Sequence, residues 1–189
     1  MSVPVFLAIS GCIPAEFSGY LPNGPGTLVR RYCAGPGVKD VLRVQAYSGV
    51  RIETHAGWNR HNDTIELEVS MTVPTKVTVQ LLEPQLLLQS REWTEPHVLL
   101  VDRIMGSGSR PGSNRYSPLE KLSGASDSPG VFGLWFLKGD KGTLFQTNIP
   151  KVNSFTLQFP PLRINNKIFR MDPIHFEVYK KWSVYTCVQ

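Results

Sequence analysis

Thr64-Ile65-Glu66-Leu67-Glu68-Val69-Ser70-Met71-Thr72-Val73 decides the fold class. Apolar side chains hold the odd positions from Ile65 to Val73, and Glu66, Glu68, Ser70 and Thr72 hold even ones. Side chains alternate across a strand, so this run specifies a β-strand with one buried and one solvated face. Just upstream, Asn59 to Asp63 is an unbroken polar run, and Asn62-Asp63-Thr64 reads as a turn entering the strand. Downstream, Pro74-Thr75 interrupts the pattern before Val77, Val79 and Leu81 resume it. That break predicts a hairpin or a strand bulged at Pro74.

The same alternation recurs along the chain. Val41 to Gln45 and Val50 to Thr54 read as strands on either side of Ser48-Gly49. Val131 to Leu137 and Thr143 to Ile149 flank Lys138-Gly139-Asp140-Lys141-Gly142, which predicts a hairpin. Phe155, Leu157 and Phe159 alternate with Thr156 and Gln158, Asn165-Asn166 makes a turn, and Ile174, Phe176 and Val178 alternate with His175 and Glu177. Two apolar runs, Gln85 to Gln89 and His97 to Val101, lack alternation; they fit strands covered on both faces or short helical turns.

No long segment shows a helical period, and 15 Pro and 16 Gly punctuate the strands. The expected architecture is therefore all-β: a two-sheet antiparallel β-sandwich, jelly-roll or immunoglobulin-like, formed by residues 1–189 as a single domain. Residues 106–130 are rich in Gly, Ser and Pro and read as a long flexible internal loop, with only Tyr116, Leu119 and Leu122 available to anchor it.

Charge is divided unevenly. Residues 1–100 carry 8 Lys and Arg against 9 Asp and Glu, whereas residues 101–189 carry 12 against 6. The net charge of +5 therefore resides in the second half. Lys138, Lys141, Lys151, Arg163, Lys167, Arg170, Lys180 and Lys181 lie there among Trp135, Phe136, Phe169, Tyr179 and Trp182, and Arg110 and Arg115 sit in the Gly/Ser/Pro segment. Cations interleaved with aromatics suit an anionic surface, whether acidic protein, acidic membrane or nucleic acid. The alternative is that the aromatics are core and the lysines guard sheet edges.

Cys12, Cys33 and Cys187 are an odd set without a Cys-x-x-Cys pair, which argues against structural zinc; they allow one disulfide plus a free thiol, and fit three thiols in a reducing, cytoplasmic compartment at least as well. Ile9-Ser10-Gly11-Cys12 partly matches a lipoprotein cleavage box, which would make the module secreted or lipid-anchored. The apolar run before it is short, broken by Pro4 and preceded by no Lys or Arg, so a first strand is the expectation. No stretch approaches the roughly 20 apolar residues of a membrane span.

Catalytic patterns are sparse. His61-Asn62-Asp63 has the His-x-Asp spacing of a non-haem iron site, with His175 or His97 as the third ligand on a jelly-roll scaffold. Its polar surroundings describe a turn instead. No Ser sits in a Gly-x-Ser-x-Gly elbow, and the central prolines of Gly24-Pro25-Gly26 and Gly35-Pro36-Gly37 donate no amide hydrogen to a phosphate. The expected function is a non-catalytic binding or assembly module without a cofactor. Its basic C-terminal half would dock, in the manner of a matrix-type structural protein, on an acidic partner, another copy of itself or a membrane or nucleic-acid surface. The runner-up is a small jelly-roll metalloenzyme.

Overall fold

The strand read first from the sequence buries its odd residues as required. Ile65, Leu67, Val69, Met71 and Val73 are each 2% exposed or less, and the residues between them are only partly covered. The structure, a computed structural model, describes residues 14–32, 38–59, 62–107, 114–124, 127–136 and 146–184. Among them the chain forms β1 (Pro14–Asn23), β2 (Thr27–Tyr32), β3 (Val38–Gln45), β4 (Arg51–Asn59) and β5 (Thr64–Val73). There follow β6 (Thr78–Leu81), β7 (Gln85–Gln89), β8 (His97–Ser107), β9 (Asn114–Tyr116), β10 (Leu122–Ser123) and β11 (Gly130–Phe136). The last are β12 (Gln146–Pro150), β13 (Ser154–Gln158), β14 (Leu162–Ile164), β15 (Lys167–Phe169) and β16 (Ile174–Val184). One 3-10 turn, Tyr47–Gly49, joins β3 to β4.

Twelve strands make one antiparallel sheet in the order β1-β16-β13-β7-β8-β11-β5-β4-β3-β2, with β12 also on β5 and β9 on β8. A four-stranded sheet, β10-β6-β14-β15, stands beside it. The large sheet does not lie flat against a partner. It curls until β1 packs on β3 and β4, giving a nearly closed barrel. Closure is by side chains. The Tyr179 hydroxyl on β16 donates to Asp40 Oδ2 on β3 at 2.5 Å, and Arg30 Nε donates to the other carboxylate oxygen at 3.1 Å. Gly24 lies where a Cβ would meet the Ile174 backbone at 3.3 Å and Leu42 at 3.4 Å, so the β1–β2 turn fits closely into the same seam.

Tyr20 stands in the centre of the core. Its ring is fully buried and edge-on to Phe155 at 5.1 Å, and Phe155 stacks on Phe176 at 4.9 Å. The phenol donates to the Val152 carbonyl at 2.7 Å and accepts from the Val152 amide at 3.3 Å, which satisfies both backbone groups. Burial pushes this phenol from 10.0 up to about 12.

Local details depart from the sequence expectation in four places. Pro74 to Val77 is neither hairpin nor bulge: the Val77 amide closes a turn on the Pro74 carbonyl at 3.2 Å, and β6 leaves β5 for the small sheet. The expected hairpin of residues 131–149 is replaced by two strands sharing one edge of β5. β11 pairs with its residues 70–73, and β12 with Thr64 and Glu66. The turn expected at 138–142 lies outside the described residues. Within 106–130, β9 and β10 form, with Tyr116 edge-on to Phe132 at 5.6 Å and Leu122 fully buried, because these apolar anchors outweigh the loop-like composition. Residues 108–113 and 125–126 of that stretch lie outside the description. Finally, Gln85 to Gln89 and His97 to Val101 are strands, one of the two readings offered, paired with each other as β7 and β8, but they are not covered on both faces, since Val98 and Leu100 are exposed.

Candidate docking surface

β7 and β8 lie in the interior of the large sheet, so their backbone groups are paired and only side chains are available to a partner. Leu86, Leu88, Leu99 and Val101 point into the core. Alternation sends Leu87, Val98 and Leu100 outward, with Leu87 directly opposite Val98. Val98 is 52% exposed and Leu100 44% exposed. The missing alternation in the sequence thus has a physical meaning: both faces of these strands are apolar, and the outer one is uncovered. Three strands along the sheet, by contrast, β5 presents Glu66, Glu68, Ser70 and Thr72 outward. A groove of about 370 Å³ runs beside Leu87 and Val98, walled by Gln158, Pro160 and Pro161 and rimmed by Glu83 and Arg170.

Arg170, which lines this groove, directly follows the β14–β15 hairpin that carries Arg163 and Lys167. Asn165 makes its turn with φ of 51°, in the left-handed region that asparagine tolerates. Its side-chain oxygen accepts from the Thr78 amide at 3.0 Å, tying the hairpin to β6. Leu162 and Ile164 fill the core, and Arg163 between them points outward, opposite Gln80 on one side and Ile168 on the other. Ile168 is 52% exposed. Nearby Leu119 is 44% exposed, and its carbonyl accepts from Gln80 Nε2 at 2.8 Å. Lys167 is exposed beside the hairpin turn, opposite Ile164, and Arg170 is exposed just past the other end of β15. None of Arg163, Lys167 and Arg170 forms an ion pair among the described residues; the one polar contact is Arg163 Nη1 to Gln80 Oε1 at 3.4 Å.

Three cations of the first half are paired. Arg30 pairs with Asp40 at 3.1 Å, Lys39 with Glu68 at 2.6 Å and Arg43 with Glu53 at 2.8 Å. Asp40 is 1% exposed and fully engaged by Arg30 and Tyr179. Burial, reinforced by the hydrogen bond to Asp40, raises the Tyr179 hydroxyl well above the ordinary phenol range. Burial likewise holds the His55 imidazole below its usual range, against the opposing pull of the Asp40 carbonyl 3.0 Å from Nδ1. These buried groups serve the barrel seam.

The other expected site residues are scattered. Lys151 folds over the Trp58 ring at 3.9 Å, a cation–π contact at the barrel end. Lys180 is exposed on β16, and the side chain of Lys181 lies outside the described residues. Arg115 on β9 is 4.0 Å from Asp102, which also pairs with Arg103 at 3.3 Å. Arg110, Lys138 and Lys141 lie outside the described residues. The interleaved aromatics are mostly occupied: Phe136 and Phe169 pack on the core, Tyr179 serves the seam, and Trp135 lies under the Arg103 guanidinium at 4.5 Å. Trp182 has its side chain outside the description. Exposed contact area near the hairpin is mixed: Ile168 is aliphatic, and Tyr47, 50% exposed, stands edge-on to Phe169 at 5.5 Å.

Of the metal candidates, His61 lies outside the described residues. Asp63 occupies a turn with φ of 53°, its carbonyl accepting the Lys151 amide at 2.9 Å. His175 is exposed on β16 with Nδ1 3.5 Å from Thr156 Oγ1, and His97 is edge-on to Trp93 at 4.7 Å. Among the described residues no group of three or more His, Cys, Asp or Glu is placed to hold a metal ion. All three cysteines fall outside the described residues, and no described helix is long and apolar enough to cross a membrane. No protein-family model matches the chain, no curated protein is significantly similar to it, and no solved structure matches it.

Proposed function

We propose that this protein is a non-catalytic binding or assembly module that docks an acidic protein partner through the Leu87–Val98 groove and the basic β14–β15 hairpin. One observation carries the reading: Arg163, Lys167 and Arg170 stand without a carboxylate partner beside apolar side chains that nothing in the described chain covers. Burying one exposed Val or Leu side chain contributes about 1.5–3 kcal/mol, which supplies affinity. Unpaired cations at the rim add attraction that falls with salt and set which partners are accepted. In this reading the curled sheet works as a sandwich, with one hydrophobic layer between apposed inner faces and partners met on the outer face. A reducing, intracellular setting suits the scattered cysteines.

The test is retention of the protein by labelled polyglutamate, acidic liposomes and single-stranded nucleic acid, each at low and at high salt. Saturable, salt-sensitive binding to the acidic polypeptide above the other two supports the proposal. Preference for liposomes or nucleic acid would replace the protein partner with that surface. Binding to none of them at low salt would refute anionic docking.

A further inference from the structure

Two clefts on the outer surface meet at His175, at the opposite end of β7 from the docking groove. The first, about 620 Å³, is within the range of small-ligand sites. Sheet register builds it. Thr156 on β13 is paired with Gln89 on β7 and with His175 on β16, so three outward polar side chains form a row across the strands. Ser90, Arg91 and Ser154 complete the rim around Phe155, which is 1% exposed. The Ser90 hydroxyl donates to the Ser154 carbonyl at 2.6 Å and fixes that edge.

The lining is rich in hydrogen-bond donors and, among the described residues, contains no carboxylate. Arg91 is exposed and in no ion pair among the described residues. Its sequence neighbour Glu92 is already engaged, accepting from the Asn153 amide at 2.8 Å, Asn153 Nδ2 at 2.9 Å and, at the rim, the Ser154 amide at 3.3 Å. A guanidinium fork among hydroxyls and an imidazole is a receptor for an oxyanion.

The second cleft, about 320 Å³, is different in kind. Leu21, Pro22, Leu28 and Leu42 line it, with Glu177 at its side. Leu21 is 39% exposed and Leu28 44% exposed, so this apolar floor is open to a ligand. Glu177 repels an anion from this cleft and leaves the Arg91 cleft as the place for negative charge.

We infer that the paired clefts bind a small amphiphilic oxyanion, with a phosphate or carboxylate head beside Arg91 and an apolar tail over Leu21 and Leu28. The site is independent of the docking groove. Its test is titration of the full chain by calorimetry or amide chemical shifts. The probes are inorganic phosphate, monomeric octyl phosphate and octanoate. Octyl phosphate is expected to bind at least about tenfold more tightly than inorganic phosphate, roughly what burying two methylenes supplies. Arg91→Ala should weaken octyl phosphate by about tenfold or more, the loss of one charge-assisted contact. Leu28→Ser should weaken octyl phosphate while leaving inorganic phosphate unchanged. Vesicles containing phosphatidate separate the two sources of such a head: Arg91-dependent vesicle binding marks a membrane lipid, and binding of octyl phosphate alone marks a free metabolite. No saturable binding at millimolar probe, or binding that Arg91→Ala leaves unchanged, would overturn the inference.

Discussion

Replacing Tyr20 with Phe removes one oxygen from the middle of the core and strands two backbone groups. The ring is fully buried, and its hydroxyl serves the Val152 carbonyl at 2.7 Å and the Val152 amide at 3.3 Å. Leaving a buried donor or acceptor unsatisfied costs about 1–3 kcal/mol, so Tyr20→Phe should destabilise the protein by about 2 kcal/mol at neutral pH. For a domain of this size that is about 4–8 °C in Tm. The pH dependence sharpens the test. Burial raises the phenol from 10.0 to about 12, so the folded chain keeps a proton that the unfolded chain has lost. Such a group gives its full contribution below pH 10 and loses it as pH rises through 12. At pH 11 the wild type should have lost about 1.4 kcal/mol from this group, and Tyr20→Phe none of it. Tyr179 titrates in both proteins and cancels. Urea unfolding of both at pH 8 and pH 11 measures the difference. A stability gap that narrows by about 1.4 kcal/mol supports the core geometry. A gap that stays constant or widens, or no destabilisation at pH 8, would refute it.

Tyr179→Phe should lower stability by about 2 kcal/mol, because the buried Asp40 carboxylate loses a charge-assisted donor; a change below about 0.5 kcal/mol in denaturant unfolding would mean the seam does not close the barrel. Gly26→Ala should cost about 1–3 kcal/mol, since the new methyl would lie 2.5 Å from the Arg43 carbonyl oxygen and the β1–β2 turn would have to shift. Thermal melts read this directly, and an unchanged Tm contradicts the turn geometry. Val98→Ser should alter stability by no more than about 0.5 kcal/mol while weakening polyglutamate binding about fivefold. Unaltered binding would remove the apolar groove from the docking surface.

Much of the core was legible because strand periodicity is local. Ile65 to Val73 announced its buried face without help from the rest of the chain, and so did Phe155, Leu157, Ile174 and Phe176. Long-range facts were not legible. That Pro74 carries the chain from one sheet to the other, or that β11 and β12 share one edge of β5, depends on pairings between distant segments. The seam is similar: nothing local links Asp40 to Tyr179 across 139 positions. Within the expected basic set, the sequence could not distinguish Arg163, Lys167 and Arg170, in no ion pair among the described residues, from Lys151, whose charge is occupied by Trp58. The face proposed for docking did leave a signal. Leu86-Leu87-Leu88 and Val98-Leu99-Leu100 break alternation because their outer residues are apolar too; of these Val98 and Leu100 are exposed and Leu87 is half-buried.

A charge-matched comparison tests the docking face most directly. One variant carries Arg163→Gln, Lys167→Gln and Arg170→Gln. The other carries Thr27→Glu, Gln45→Glu and Thr94→Glu at exposed positions elsewhere, so that both lose the same net charge. The measurement is the dissociation constant for labelled polyglutamate at 0.05 to 0.2 M salt, a range about which exposed charges are strongly screened. Docking through the β14–β15 hairpin predicts at least about tenfold weaker binding for the first variant and about twofold or less for the second. Equal losses would show that net charge alone attracts the polymer, and would contradict a localised basic docking surface.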